Sequence, residues 1–570
     1  MSIRTRVMRD RRMPTERPLA AQVAALFANG EQGLWYDASD LSTMYQDSSG
    51  SIPVYYPGSG QIDPPVGMIL DKRQGLSRGA TRFSDAAVLL SGESYRVSPG
   101  VYRCYSSSGA YNLINLGGSL AVGKWYELTF TVDSVAVAGQ GISLEGGDTT
   151  QTAFVATTVG VKRCIFRAAA AYIGIKRNAG AMDYQVSGVS IRELSGNHAY
   201  QATTASRPTL SARYNGLLAS EKYNDGTYWT WQASFTSEIT ADTAAPDGSN
   251  TAWKITSTNA NAALSKAGLT GYKNPVLTVW CKSGAWNPTI MVRNATTATN
   301  LLAGTITASD RTDTYGKFTN TDMGNGWKRL RIEITSGVSV TDSLVVYVGS
   351  TGAIPVGQSM YIWRSDFREA GDGIGLPEYQ RVVDATTYDT AGFPLYLKLD
   401  GVDDFLQTNV DFSGTDKLML SAAIRRLSDS GLGVVLESTS DYSASNGTFV
   451  LLAPGASGTP SVGFNAKGTV LTGGLSYTTS AAPVGLLVSA YADIAASYRA
   501  LRVNGVQVAS STTSIGIGAF GNAVLYLGRR AGSSLPFNGR LYGLLLRGAA
   551  ANDGTFARVE RYLNQKGRVA

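Results

Sequence analysis

The chain has 570 residues, of which 64 are glycine; 43% are apolar and only 16% are Asp, Glu, Lys or Arg, against about 25% charged residues in an average soluble domain. That balance excludes a disordered chain, which needs more charge and fewer apolar groups, and a helical bundle, which would be rich in Glu, Lys and Leu; it points to a mainly β protein of three or four domains at roughly 100–200 residues each. A single histidine and three cysteines exclude most hydrolases built on Ser-His-Asp, Cys-His or zinc sites, so the expectation is a protein that is not an enzyme and carries no cofactor.

The net charge of +7 is concentrated at the N terminus. In MSIRTRVMRDRRMPTERP, Arg4, Arg6, Arg9, Arg11, Arg12 and Arg17 face only Asp10 and Glu16, a pattern that suits binding to nucleic acid, docking on an acidic protein surface or a solvated tail. The following PLAAQVAALFANG is predicted helical, with Leu19, Val23, Leu26 and Phe27 on one face, Pro18 in its first turn and Asn29-Gly30 at its end. Residues 1–30 read as a basic arm and a short helix. No run reaches the roughly 20 apolar residues of a membrane span.

Residues 31–77 alternate short apolar runs with Pro and Gly and read as a linker with local structure. From 78 to 195, runs such as KWYELTFTVDSVAV and YQVSGVSIREL predict a first β-sandwich, and the polar 196–216 reads as a connector. A second sandwich is predicted over 217–370; in WKRLRIEI, Leu330, Ile332 and Ile334 share one face and Arg329, Arg331 and Glu333 the other. A connector at 371–393 leads to a third sandwich at 394–550, where Asn504-Gly505 predicts a type I′ hairpin. Residues 551–570 close the chain as a helix with Phe556, Val559 and Leu563 on one side, Asn552 or Asp553 as cap and Gly567 as stop. Cys104, Cys164 and Cys281, far apart in strand-like runs, read as buried free thiols.

Three runs of the last sandwich, LKLDGVDDFLQT, LRVNGVQV and LYLGRRAGSSLPFNGRLYGLLLRG, resemble the concanavalin A-like lectin/laminin G-like jelly roll. That resemblance implies two curved antiparallel sheets and no single ligand. WYDASDLSTMYQD, VGMILDKRQG and GNHAYQATTASRP are similar to linkers in tailed-phage and prophage virion proteins. The first two sandwiches resemble carbohydrate-binding modules, through KWYELTFTV and VSIREL in one and TAAPDGSNTAWKIT, GWKRLRIEI and MYIWRSDFREAG in the other. Together these imply a virion structural protein of tail, baseplate or fibre, assembled in the host cytoplasm, with residues 1–30 as its attachment segment and Arg4, Arg6, Arg9, Arg11, Arg12 and Arg17 as the residues that dock on the particle. Its implied partners are other virion proteins, a bacterial surface polysaccharide and further copies of itself, a trimer being common in fibres; nucleic acid is not among them. The alternatives are a purely architectural virion protein, a secreted bacterial adhesin and an envelope depolymerase.

Sugar binding needs aromatic rings for stacking and polar groups for hydroxyls. In EKYNDGTYWTWQASF, Trp229 and Trp231 project to one side of an extended chain and Tyr228 to the other; Trp286 and Asn287 lie in the loop SGAWNPT. These five are the candidate contact residues, with core packing as the alternative for the tryptophans. Trp125, Trp253, Trp327 and Trp363 sit in alternating strands and read as core. Asp403 and Asp404 are calcium candidates, but adjacent carboxylates on an extended chain point oppositely and do not make the roughly 5–9 Å facing pair of a glycosidase. The jelly-roll resemblance marks them as a structural turn, and no metal site is expected. His198 has no Cys or carboxylate cluster near it in sequence and reads as a surface or packing residue.

Overall fold

A computed structural model describes residues 18–151, 154–232, 235–239, 244–258, 263–352 and 354–570, with the backbone alone for 231–232 and 235–239. The strands described form six antiparallel sheets, two for each of three sandwiches. The fold is mainly β, with short helices near both ends, Leu19–Ala24 and Asp553–Gly567.

The first sandwich closes Tyr102, Leu128, Phe130 and Phe166 of one sheet over Ile114, Ile142 and Ile175 of the other. The second does the same with Leu277, Val279, Leu330 and Ile332 against Ile290, Val292 and Val346. In both, apolar side chains of alternate positions meet between the sheets, the period-2 consequence of the strand backbone. Leu330, Ile332 and Ile334 are buried, as the alternation in WKRLRIEI requires. All three cysteines are buried free thiols.

The third sandwich is not a contiguous block. Gly33–Asp37 pairs with Asn538–Arg547, and Thr209–Ser211 pairs with Tyr396–Asp400, so residues read as linker and connector extend one sheet of the jelly roll. Met44–Tyr45, Met68–Ile69 and Ala199–Tyr200 extend the other, ending on Leu406–Asp411. These strands are two to five residues long and buried on both faces, so they carry no alternation to read. The body is thus built from residues on both sides of each inserted sandwich. Ile69 lies opposite Ala199, and Ser211 opposite Tyr396, so each sandwich leaves and returns between paired strands.

Helix Asp553–Gly567 lays Phe556, Val559, Tyr562 and Leu563 on the body, together with Val23, Leu26 and Phe27. The Asn552 side chain accepts from the Thr555 amide as N-cap. Gly567 is the last helical residue, and Arg568 takes the left-handed turn at φ 50°. Gly567 instead packs closely on the body, a Cβ there standing 3.1 Å from Tyr542 Cβ. Asn504 and Gly505, with φ 51° and 82°, form the expected hairpin turn between Tyr498–Val503 and Val506–Ser511.

Candidate functional site

The aromatic platform expected in the second sandwich is not formed. Trp229 is 1% exposed, its Nε1 donates to the Ala219 carbonyl at 2.9 Å, and its ring lies 5.3 Å from Tyr223. Alternation does not reach it, because the strand starts at Thr230 and Trp229 belongs to the preceding turn, its amide bonded to the Asp225 carbonyl. Tyr228 and Trp286 are half-buried against the same core. Asn287 is exposed, its Oδ1 accepting from Ser283 Oγ at 2.8 Å. The side chain of Trp231, and the arm with Arg4, Arg6, Arg9, Arg11, Arg12 and Arg17, lie outside the described residues.

Asp403 and Asp404 sit in a turn rather than in an extended strand, so they do not diverge. With Asp400 they offer oxygens within 4.8 Å of one another. Those oxygens have local partners: Ser206 Oγ donates to Asp403 at 2.8 Å, the Asp400 amide to Asp404 at 3.0 Å and the Val402 amide to Asp400 at 2.8 Å. Burial, with the charges of Asp400 and Asp403, pushes the Asp404 carboxyl up to about 7.

The structure instead brings polar side chains together where the first sandwich meets the body. A depression of about 420 Å³ is lined by Gln32, Arg73 and Gln74 of the N-terminal segment, Lys124, Trp125 and Arg167 of the sandwich, and Asn409, Asp411 and Asn522 of the jelly roll. A second depression of about 210 Å³, lined by Asp148, Thr150, Tyr200 and Gln407, shares Trp125, Arg167 and Asn409 with it. The two make one groove.

Its walls are fixed from beneath. Trp125, Ile165 and Leu194 of the sandwich pack on Tyr45, Met68, Leu70 and Tyr200 of the body. Under that contact, buried Asp71 accepts from the amides of Trp35, Arg73 and Asn197 and from Arg73 Nε, at 2.9 to 3.0 Å. Its own amide donates to His198 Nδ1 at 3.0 Å. His198 is fully buried, its ring 5.3 Å from Trp125, and burial pushes its pKa down to about 3, so the imidazole is neutral and acts in packing. Gly196 is required here: at φ 138° its Cβ would stand 2.8 Å from His198 Cε1.

On the rim, Asn409 Nδ2 donates to Asn522 Oδ1 at 2.7 Å, and Arg167 Nε to the Gly123 carbonyl at 3.2 Å. Amides, a guanidinium and carboxylates offer donors and acceptors in fixed directions, as polyhydroxy ligands require. Asn409, Asn522 and Arg167 carry no motif, because three distant segments supply one wall each; the run KWYELTF marks Trp125 only as a strand residue.

No family model matches the chain, and no curated protein matches it. Among solved structures it is similar to the CBM40 of Ruminococcus gnavus IT-sialidase, at 16% identity and TM-score 0.23, covering 29% of this chain and 96% of that one. It is similar to the tandem CBM22-1-CBM22-2 of Paenibacillus barcinonensis Xyn10C, at 13% identity and TM-score 0.26, covering 51% of this chain and 97% of that one. It is also similar to the SAP-like pentraxin of Limulus polyphemus, at 9% identity and TM-score 0.23, covering 27% of this chain and 76% of that one.

Proposed function

We propose that the chain is a non-enzymatic glycan-binding protein of a virion, and that the groove between the first sandwich and the jelly roll takes a segment of a bacterial surface polysaccharide. The observation that carries the binding reading is the groove itself, with side-chain amides and cations from three segments around Trp125. What supports the virion reading is the resemblance of WYDASDLSTMYQD, VGMILDKRQG and GNHAYQATTASRP to linkers of tailed-phage virion proteins. Several copies on one particle would turn weak single contacts into avidity.

A glycan array probed with the full chain tests the binding reading. The expected result is a defined set of bacterial polysaccharide signals that fall at least tenfold in an N409A/N522A double variant. No signal for the parent chain, or an unchanged signal for the variant, overturns it.

A second reading, that the sandwiches serve only as packing modules between virion proteins, is favoured by one edge of the first sandwich. There Leu89, Tyr95 and Val97 are 67%, 43% and 49% exposed on Leu89–Ser91 and Tyr95–Ser98, the edge strands of its two sheets.

A further inference from the structure

Where the second sandwich meets the body, a pocket of about 260 Å³ collects residues from six parts of the chain, Asp63, Arg213, Tyr272, Tyr396, Lys398 and Arg540 among them. Its charge is unbalanced for a structural reason. Lys398, Arg540 and Arg425 lie opposite one another on three neighbouring antiparallel strands, so three cations share one row of one sheet. Like charges directly opposite destabilise a sheet. A single carboxylate oxygen answers two of them, Asp372 Oδ1 lying 3.1 Å from Arg425 Nε and 3.3 Å from Arg540 Nη1.

Arg540 is held further by aromatic faces, its guanidinium carbon 4.4 Å from the Tyr396 ring centre and 4.9 Å from that of Tyr214. Lys398 and Arg213 have no such company. Among the described residues neither has a carboxylate within 4.0 Å, nor does either side chain make a hydrogen bond to the protein. The pocket's own carboxylate, Asp63, is engaged by the Tyr388 hydroxyl at 2.6 Å.

The walls are equally specific. Gly216 lets the Tyr272 hydroxyl approach, since a Cβ there would stand 2.0 Å from it. The ring of Tyr272 is braced 4.7 Å from Phe367, and its hydroxyl has no hydrogen-bond partner among the described residues. The cavity therefore offers Arg213 and Lys398 with no carboxylate within 4.0 Å, although the charge of Lys398 is felt by Asp404, with Arg540 behind them, Asp63 in the lining and the Tyr272 hydroxyl open to a ligand. Its volume falls below the about 300–1,000 Å³ of drug-sized ligand sites, which limits an occupant to one sugar ring.

We propose that this pocket is an anion site for a carboxylate-bearing sugar unit, a hexuronate, whose carboxylate meets Arg213 and Lys398 and whose hydroxyls face Tyr272. The sugar part of this assignment rests on the glycan-binding reading; the anionic part rests on the excess of Arg213, Lys398 and Arg540 over Asp63 in the pocket lining.

Calorimetric titration of the full chain with D-glucuronate, D-glucose and inorganic sulfate tests it, on the parent, on R213Q/K398Q and on the groove variant N409A/N522A. Expected are glucuronate binding at least tenfold tighter than glucose or sulfate, loss of at least tenfold in R213Q/K398Q, and unchanged binding in N409A/N522A. Both pocket substitutions are at partly or fully exposed side chains, and an unaltered thermal transition of R213Q/K398Q confirms that the loss is local. Glucose binding as well as glucuronate overturns the anion site, and sulfate binding as well as glucuronate overturns the sugar assignment. An undiminished R213Q/K398Q, or no glucuronate binding by the parent, overturns the proposal whatever the groove does on the glycan array.

Discussion

Asp404 sits where burial and two neighbouring carboxylates act in the same direction, raising its pKa from 3.8 to about 7. A raised acid pKa means that the folded chain holds a proton which the unfolded chain has already released. This group's contribution to stability is therefore full at low pH, falls as pH rises from about 4 through 7, and is flat above. In Asp404→Asn the amide oxygen still accepts from the Asp400 amide and the charge is gone. The expected outcome is a variant more stable than the parent at pH 8 and level with it near pH 4, measured by urea unfolding at both values; equal stability at pH 8 contradicts the assignment. Trp229 makes a second residue-scale case. Buried among Tyr223 and the core of the second sandwich, it should cost about 3–5 kcal/mol on Trp229→Ala, while the glycan signal of the groove persists. A stability loss below 1 kcal/mol would place the ring outside the core.

At the scale of elements, what could be read in advance depended on length. The C-terminal helix spans fifteen residues, enough for Phe556, Val559 and Leu563 to declare a face and for Asn552 to declare a cap. The Asn504-Gly505 hairpin was equally legible, because a two-residue turn with positive φ admits few sequences. Ala199–Tyr200 and Met68–Ile69 offered two residues each, and no period can be counted in two. Trp229 departs from the expected period for a related reason: the strand begins one residue later, at Thr230. The groove and the cation row carry no sequence pattern, the groove because segments far apart in the chain supply its walls and the row because it is a register between separate strands, such as Lys398 with Arg540. Cap removal checks the legible part. Asn552→Ala should lower stability by about 1 kcal/mol, read as a shift in the urea midpoint without a change in slope, and no shift would mean that the cap bond to Thr555 is not formed in solution.

For the whole molecule, nesting makes a prediction that a string of domains would not. The Ser195 amide donates to the Ser77 carbonyl at 3.4 Å, so the ends of the first sandwich lie side by side on the body. Its interior, Tyr102, Leu128, Phe130, Phe166 and their neighbours, is a core separate from that of the jelly roll. Closing a loop of two residues in place of one of more than a hundred lowers the entropy cost of bringing those ends together. Against this stands the loss of the contact that buries Tyr45, Met68, Leu70 and Tyr200. Replacing residues 78–194 by two glycines should therefore give a body that is folded but less stable, unfolding in one cooperative transition. The same chain should lose the groove's glycan signal, since Lys124, Trp125 and Arg167 leave with the sandwich, and retain glucuronate binding in the pocket at Arg213 and Lys398, which the deletion does not touch. A shortened chain that lacks a cooperative transition would mean that the body depends on the sandwich to fold, and that the paired strands Met68–Ile69 and Ala199–Tyr200 form only once it is in place.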